Sequence, residues 1–169
     1  LDAFDIARKM PFNAEIQEES AFNHAKVHLD LGHASETIQE IQAFNAQYPK
    51  SKFAEEATEL VAEAFINSNN LEIAINYLKG ITKRSPRLNE AYQTLSYNLG
   101  VRAYNDERFD AAIDLFNKSI ETAQNDRYTA LASLGKAEAL SQLKKFEDAI
   151  ELYSPLLSGK GQTEDFIQQ

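Results

Sequence analysis

The chain has no cysteine and no tryptophan, and among its 169 residues only one methionine, four prolines and six glycines. Without cysteine, neither a disulfide nor a thiolate metal site can form. No apolar run approaches the roughly 18 residues needed to cross a bilayer, and the first residues carry no basic-then-apolar signal segment. Positive charge is also scarce. Seventeen Lys and Arg stand against 26 Asp and Glu, for a formal charge of −9. That is the wrong sign for a phosphate backbone, and the basic residues do not cluster, so nucleic acid is not expected as a partner. A glycine-rich phosphate loop, a Gly-x-Ser-x-Gly elbow and a His-Glu-x-x-His helix are all missing. No catalytic activity and no cofactor are therefore expected.

What is present is a repeat. Ile38, Ile75, Ile113 and Ile150 are separated by 37, 38 and 37 residues, and other columns keep that register. One turn earlier run Ala34, Leu71, Phe109 and Phe146; three residues later run Ile41, Leu78, Phe116 and Tyr153. Between them lies a column of small residues, Thr37, Ala74, Ala112 and Ala149, and twelve residues upstream a second, Ala25, Ala62, Gly100 and Ala137. Apolar residues at i, i+4 and i+7, as in Phe109, Ile113 and Phe116, form a helical stripe and not the alternation of a strand. Small columns mark places where two helices approach closely. A fixed period of this length means that each unit is one supersecondary element, which buries its apolar face only by stacking on its neighbours.

The stop signals divide each unit into two helices. They are Leu31-Gly32, Asn67-Ser68-Asn69-Asn70, Asn105-Asp106 and Gln142-Leu143-Lys144-Lys145. Pro49 and Pro86 are expected to close the first two units, because proline cannot continue a helix. The third unit closes at Gln124-Asn125-Asp126, with Asp126 expected to cap the next helix. The fourth closes near Ser158-Gly159-Lys160-Gly161, with Pro155 shortening or kinking its last helix. The pattern predicts helix pairs at about 14–31 with 34–48, 51–68 with 71–84, 88–105 with 109–124, and 127–143 with 146–158. The opening residues, with Phe4, Ala7 and Pro11, fit the end of a preceding second helix, and those from Thr163 onward fit the start of a following one. The expectation is one all-α solenoid over residues 1–169, cut from a longer protein. Its repeats lie at about 14–49, 50–86, 87–125 and 126–161, with partial repeats at both ends.

These columns resemble the tetratricopeptide repeat, which asks for a small residue late in helix A, an alanine early in helix B, an aromatic four residues on and a closing proline. The third unit matches with Leu99-Gly100, Phe109, Ala112 and Phe116, the second with Ala62, Phe65, Ala74, Leu78 and Pro86. The resemblance covers nearly the whole chain. Departures are the missing tryptophan, Thr37 in place of the early alanine, and a period longer than the family's. It implies a right-handed α-α superhelix of about four helix-turn-helix repeats that serves as a scaffold or adaptor for protein-protein interaction. The string Tyr48-Pro49-Lys50-Ser51-Lys52-Phe53-Ala54-Glu55-Glu56-Ala57 resembles the unit junction of bacterial cell-envelope tetratricopeptide proteins, and so implies a periplasmic or envelope location over a cytoplasmic one.

In that family helix A lines the concave surface and selects a peptide. Carried over by register, the groove would hold Glu19, Phe22 and Lys26 from the first unit and Glu59, Glu63 and Asn67 from the second. The third would add Tyr97, Val101 and Asn105, and the fourth Leu134 and Glu138. Phe22, Tyr97 and Val101 would anchor an apolar segment by burial, and Glu59, Glu63 and Glu138 would favour Lys or Arg in a protein or peptide partner. Two alternatives stand beside this reading. The array could be a structural spacer, or it could bind a metal through His24 and His28, which have the i, i+4 spacing that places two imidazoles on one ion. Against the metal, His28 shares a column with Phe65, Ala103 and Leu140, which face a neighbouring helix, so no metal ligand is assigned. Carboxylate pairs such as Glu18/Glu19 and Glu55/Glu56 read as solvated helix faces.

Overall fold

The computed structural model describes residues 1–11, 13–68 and 70–157. Every regular element among them is a helix: α1 (Asp2–Lys9), α2 (Ala14–Asp30), α3 (Ala34–Gln47), α4 (Ala54–Asn67), α5 (Leu71–Lys79), α6 (Pro86–Asn105), α7 (Phe109–Thr122), α8 (Asp126–Gln142) and α9 (Phe146–Leu157). The expected closure at Ser158–Gly161 and the helix start at Thr163 lie outside the described residues. The chain divides into two compact units, Leu1–Tyr77 and Leu78–Gln169.

Four boundaries differ from expectation, each for a local reason. Pro86 opens α6 instead of closing the helix before it. It occupies the first helical turn, where a missing N–H costs nothing, and Ser85 Oγ caps the helix by accepting the Leu88 N–H at 3.3 Å. The preceding helix α5 ends early, at Lys79, where Gly80 follows and the Arg84 guanidinium donates to the Leu78 carbonyl at 3.2 Å. Asp126 is the first residue of α8, and its neighbour Asn125 is the cap, accepting the Arg127 N–H at 3.1 Å. Ser51 does not start a helix. It accepts the Phe53 N–H at 3.0 Å and donates to Glu18, forming a turn that delays α4 to Ala54. Pro155 shortens nothing among the described residues, since α9 continues past it to Leu157.

In the first unit α1 packs on α2, α2 on α3, α3 on α4, and α2 also touches α4. The second repeats the scheme with α6, α7, α8 and α9, and α6 touches α8. Sequential antiparallel pairs with contact between alternate helices are the arrangement of stacked helix-turn-helix repeats. Both small columns are buried: Ala25, Thr37, Ala112 and Ala137 have no measurable exposure. In the first unit the two columns meet directly, since the Thr37 hydroxyl donates to the Ala25 carbonyl at 3.3 Å. In the second, Gly100 of α6 and Gly135 of α8 both lie against the Phe116 ring. A methyl group added at either would come within 2.7 or 2.6 Å of it.

One turn geometry recurs between the A and B helices. Gly32, Glu107 and Lys144 take left-handed φ values of +79°, +58° and +61°. In each case the next residue's N–H reaches back over the helix end, from His33 to His28, Arg108 to Ala103 and Lys145 to Leu140. This is the Schellman closure, which satisfies the last carbonyls of a helix. The turn between α7 and α8, which joins two repeats, is held differently. Gln93, fully buried, accepts the N–H groups of Gln124 and Asn125 at 3.0 and 2.8 Å and donates to the Asn125 carbonyl and Thr129 hydroxyl at 3.0 Å each. One side chain thus supports the turn for which the sequence provides no proline.

Candidate functional site

The helix-A positions named from the sequence separate into two groups by environment. In the first unit α2 and α4 present Glu19 and Asn67 exposed, and Lys26, Glu59 and Glu63 half-buried. Lys26 Nζ lies 2.6 Å from Glu56 Oε1, a pair with both side chains over 40% exposed and so worth roughly 0–1 kcal/mol. That pairing neutralises the one cation expected in this part of the groove. Phe22 is a correction. It is 2% exposed, stacked on Phe53 at 4.6 Å with the rings 7° from parallel, and tilted against Phe44 at 5.7 Å. The Ser51 turn delivers Phe53 onto it, which register alone does not reveal. Phe22 is core and presents nothing to a ligand.

In the second unit Asn105 and Glu138 are exposed and Tyr97, Val101 and Leu134 are half-buried on α6 and α8. Tyr97 leans on Phe116 at 6.1 Å and on Tyr128 at 5.6 Å. Burial, then the neighbouring Tyr128 and Glu138, push its phenol above the ordinary value, so it stays neutral and serves as an apolar face with a hydrogen-bonding tip.

The structure also assembles polar groups that the register did not join. On the other side of α2, His24 Nδ1 stands 2.7 Å from Glu40 Oε2 of α3, and His28 Nε2 stands 3.8 Å from Glu40 Oε1. His24 is 6% exposed, and its ring meets that of His28 edge-on at 4.8 Å. His33, in the turn after α2, brings Nδ1 to 3.2 Å from His28 Nδ1. Arg8 of α1 reaches Glu40 Oε1 at 3.4 Å, but its shorter contacts are to Asp5 Oδ1, at 2.7 and 3.0 Å. Lys9 and Arg8 together hold the Asp5 carboxyl down to about 2. Beside Glu40 opens a cleft of about 340 Å³ lined by Arg8, Lys9, Gln39, Phe44 and Tyr48. The i, i+4 spacing gave the two histidines; Glu40 was findable only as the residue one turn beyond Thr37, on the face that meets Ala25.

No family model and no curated protein matches the chain. Among solved structures, the crystal structure of MamA superposes with a TM-score of 0.53 at 18% identity, covering 98% of this chain and 89% of that one. MamA AMB-1 gives 0.52 at 15% identity, with 99% and 90% covered. At these identities the likeness is one of fold. The chain has an all-α helical-repeat fold of the solenoid class, tetratricopeptide-like in its helix pairs and small columns. Among the described residues no helix is long and apolar enough to cross a membrane.

Proposed function

We propose that this chain is a protein-interaction scaffold whose helix-A faces hold partner segments. The observation that carries the reading is the second-unit face, where Tyr97, Val101 and Leu134 stand half-buried beside the exposed Glu138. Such a face offers apolar anchoring area already fixed by Phe116 and Tyr128, so a ligand meets little ordering cost. A short segment with an apolar residue next to Lys or Arg fits it. The first-unit face, with Glu19, Glu59 and Glu63, supports a basic partner by steering more than by affinity. An envelope location is part of the proposal and rests on the Tyr48–Ala57 string.

Binding of fluorescent peptides that alternate Leu or Phe with Lys tests the reading, with Asp-substituted peptides as controls. Tyr97→Ala should weaken binding of the basic set by about tenfold, as expected for a central aromatic anchor. Glu138→Lys should weaken it mainly at low salt. Equal binding of basic and acidic sets, or no effect of Tyr97→Ala, would leave the spacer reading as the better one.

A further inference from the structure

His24, His28 and Glu40 occupy register positions that are apolar in the second unit. Seventy-five residues on stand Leu99, Ala103 and Leu115. Two imidazoles and a carboxylate thus replace aliphatic packing between the paired helices, at a desolvation cost that their mutual contacts only partly offset. We propose that His24, His28 and Glu40 bind a first-row divalent cation of the imidazole-preferring kind, with Zn²⁺ as its probe.

Three observations support the assignment. The first is spacing. Zinc holds nitrogen and oxygen ligands at about 2.0–2.2 Å in a tetrahedron, so ligand atoms on one ion stand about 3.4 Å apart. The ligand atoms of the triad lie within 4.8 Å of one another, and the two contacts to Glu40, at 2.7 and 3.8 Å, fall on either side of that figure. Side-chain adjustment that evens these separations would bring all three onto one ion.

The second is orientation. Metal-bound imidazoles pass their other ring N–H to an acceptor that fixes the tautomer. His28 Nδ1 has such an acceptor in His33 Nδ1, 3.2 Å away. The contact can be made with either nitrogen donating; in the arrangement in which His28 donates, its Nε2 lone pair faces Glu40 Oε1, 3.8 Å away, and a cation between them would be held by both. His33 is therefore a positioning residue, not a ligand.

The third is access and charge. His24 is held inside the helix pair, while Glu40 lines the cleft between α1 and α3 and offers the ion a path and a place for its remaining water ligand. Arg8 keeps its short contacts on Asp5 and can release Glu40 without losing a partner. Its charge nevertheless opposes a cation, so the site should tighten when Arg8 is neutralised.

The experiment is calorimetry of tag-free protein with Zn²⁺, paired with Co²⁺ absorption and thermal melts. The expected result is one ion per chain, a melting temperature raised by Zn²⁺ and restored by chelator, and no response to Mg²⁺. His28→Ala and Glu40→Gln should each lower affinity by at least about tenfold, His33→Ala should cost less, and Arg8→Gln should raise affinity severalfold. Circular dichroism checks that each variant folds; if Glu40→Gln does not, His28→Ala decides alone. Absence of heat up to about 1 mM Zn²⁺, or binding unchanged in His28→Ala, overturns the proposal and leaves the triad as a latch between α2 and α3.

Discussion

The two units carry one repeat but fasten it by different chemistry. In the first, α2 and α3 meet through the Thr37 hydroxyl, the His24–Glu40 contact and the Phe22–Phe44 ring pair, and Phe53 of the turn before α4 stacks on Phe22. In the second, α6, α7 and α8 close on the single ring of Phe116, with glycine on two sides, and on the buried Gln93 amide. The register therefore specifies where helices touch and how close they come, while the group that fills each contact is free to change between apolar, aromatic and ionic. Function has room in such a scheme, because a polar set can occupy a core position in one repeat while the next keeps the fold.

The largest effects should come from the Phe116 sandwich. Phe116→Ala removes a ring that is 1% exposed and should cost about 3–5 kcal/mol by denaturant unfolding. Gly135→Ala should cost about 1–3 kcal/mol in the native background, because its Cβ would lie 2.6 Å from the ring. In the Phe116→Ala background the same change should turn neutral or favourable, since the clash is gone and alanine is the better helix former by about 1 kcal/mol. Additive costs in the double mutant would show that the sandwich does not hold the second unit together.

Next in size is Gln93→Leu, which removes the acceptor of two N–H groups, those of Gln124 and Asn125, at the α7–α8 turn and should cost about 2–3 kcal/mol, while the Asn125 carbonyl keeps its bonds from Thr129. Amide exchange at Gln124 and Asn125 should accelerate before the rest of α8 responds. Slow exchange there would mean that the turn stands without Gln93.

The sequence disclosed the helices and both small columns because they depend on period and size, which register exposes directly. Thr37, Ala112, Ala25 and Ala137 all lie where that logic places them. What it concealed depends on geometry outside the repeat. Phe22 shares a column with Glu59, Tyr97 and Leu134, yet it alone is covered, because a three-residue turn brings Phe53 across it. Glu40 is marked only by its place one turn beyond Thr37, and the meeting of α2 with α3 sets it beside the histidines. Gly135 lies in no small column; its role follows from the size of one ring on another helix.

Exchanging the chemistry of the units tests their equivalence. Glu40→Leu alone should cost about 1–3 kcal/mol, since it leaves the buried His24 ring without its acceptor. The triple change His24→Leu, His28→Ala and Glu40→Leu rebuilds the second unit's aliphatic set and should be neutral or stabilising in metal-free buffer, as expected when an interior polar cluster is replaced by packed apolar groups. A triple mutant less stable than the single one would mean that the first unit's helix pair is spaced for polar groups and cannot adopt the second's packing.

The smallest effect separates the units at their turns. The left-handed position holds glycine in the first unit, at Gly32, and Glu107 and Lys144 in the second, with φ near +60° for both. A side chain in that conformation costs roughly 1–2 kcal/mol, partly offset by the greater entropy that glycine loses on folding. Glu107→Gly and Lys144→Gly should therefore each stabilise the protein by about 0.5–1 kcal/mol and raise the melting temperature by about 1–3 °C. Gly32→Ala should destabilise by a similar amount, although nothing lies within 4 Å of the added methyl, because the strain is in the backbone. If Glu107→Gly lowers the melting temperature instead, the glutamate side chain must contribute to its own turn, and the second unit would differ from the first in how its turns are held as well as in its core.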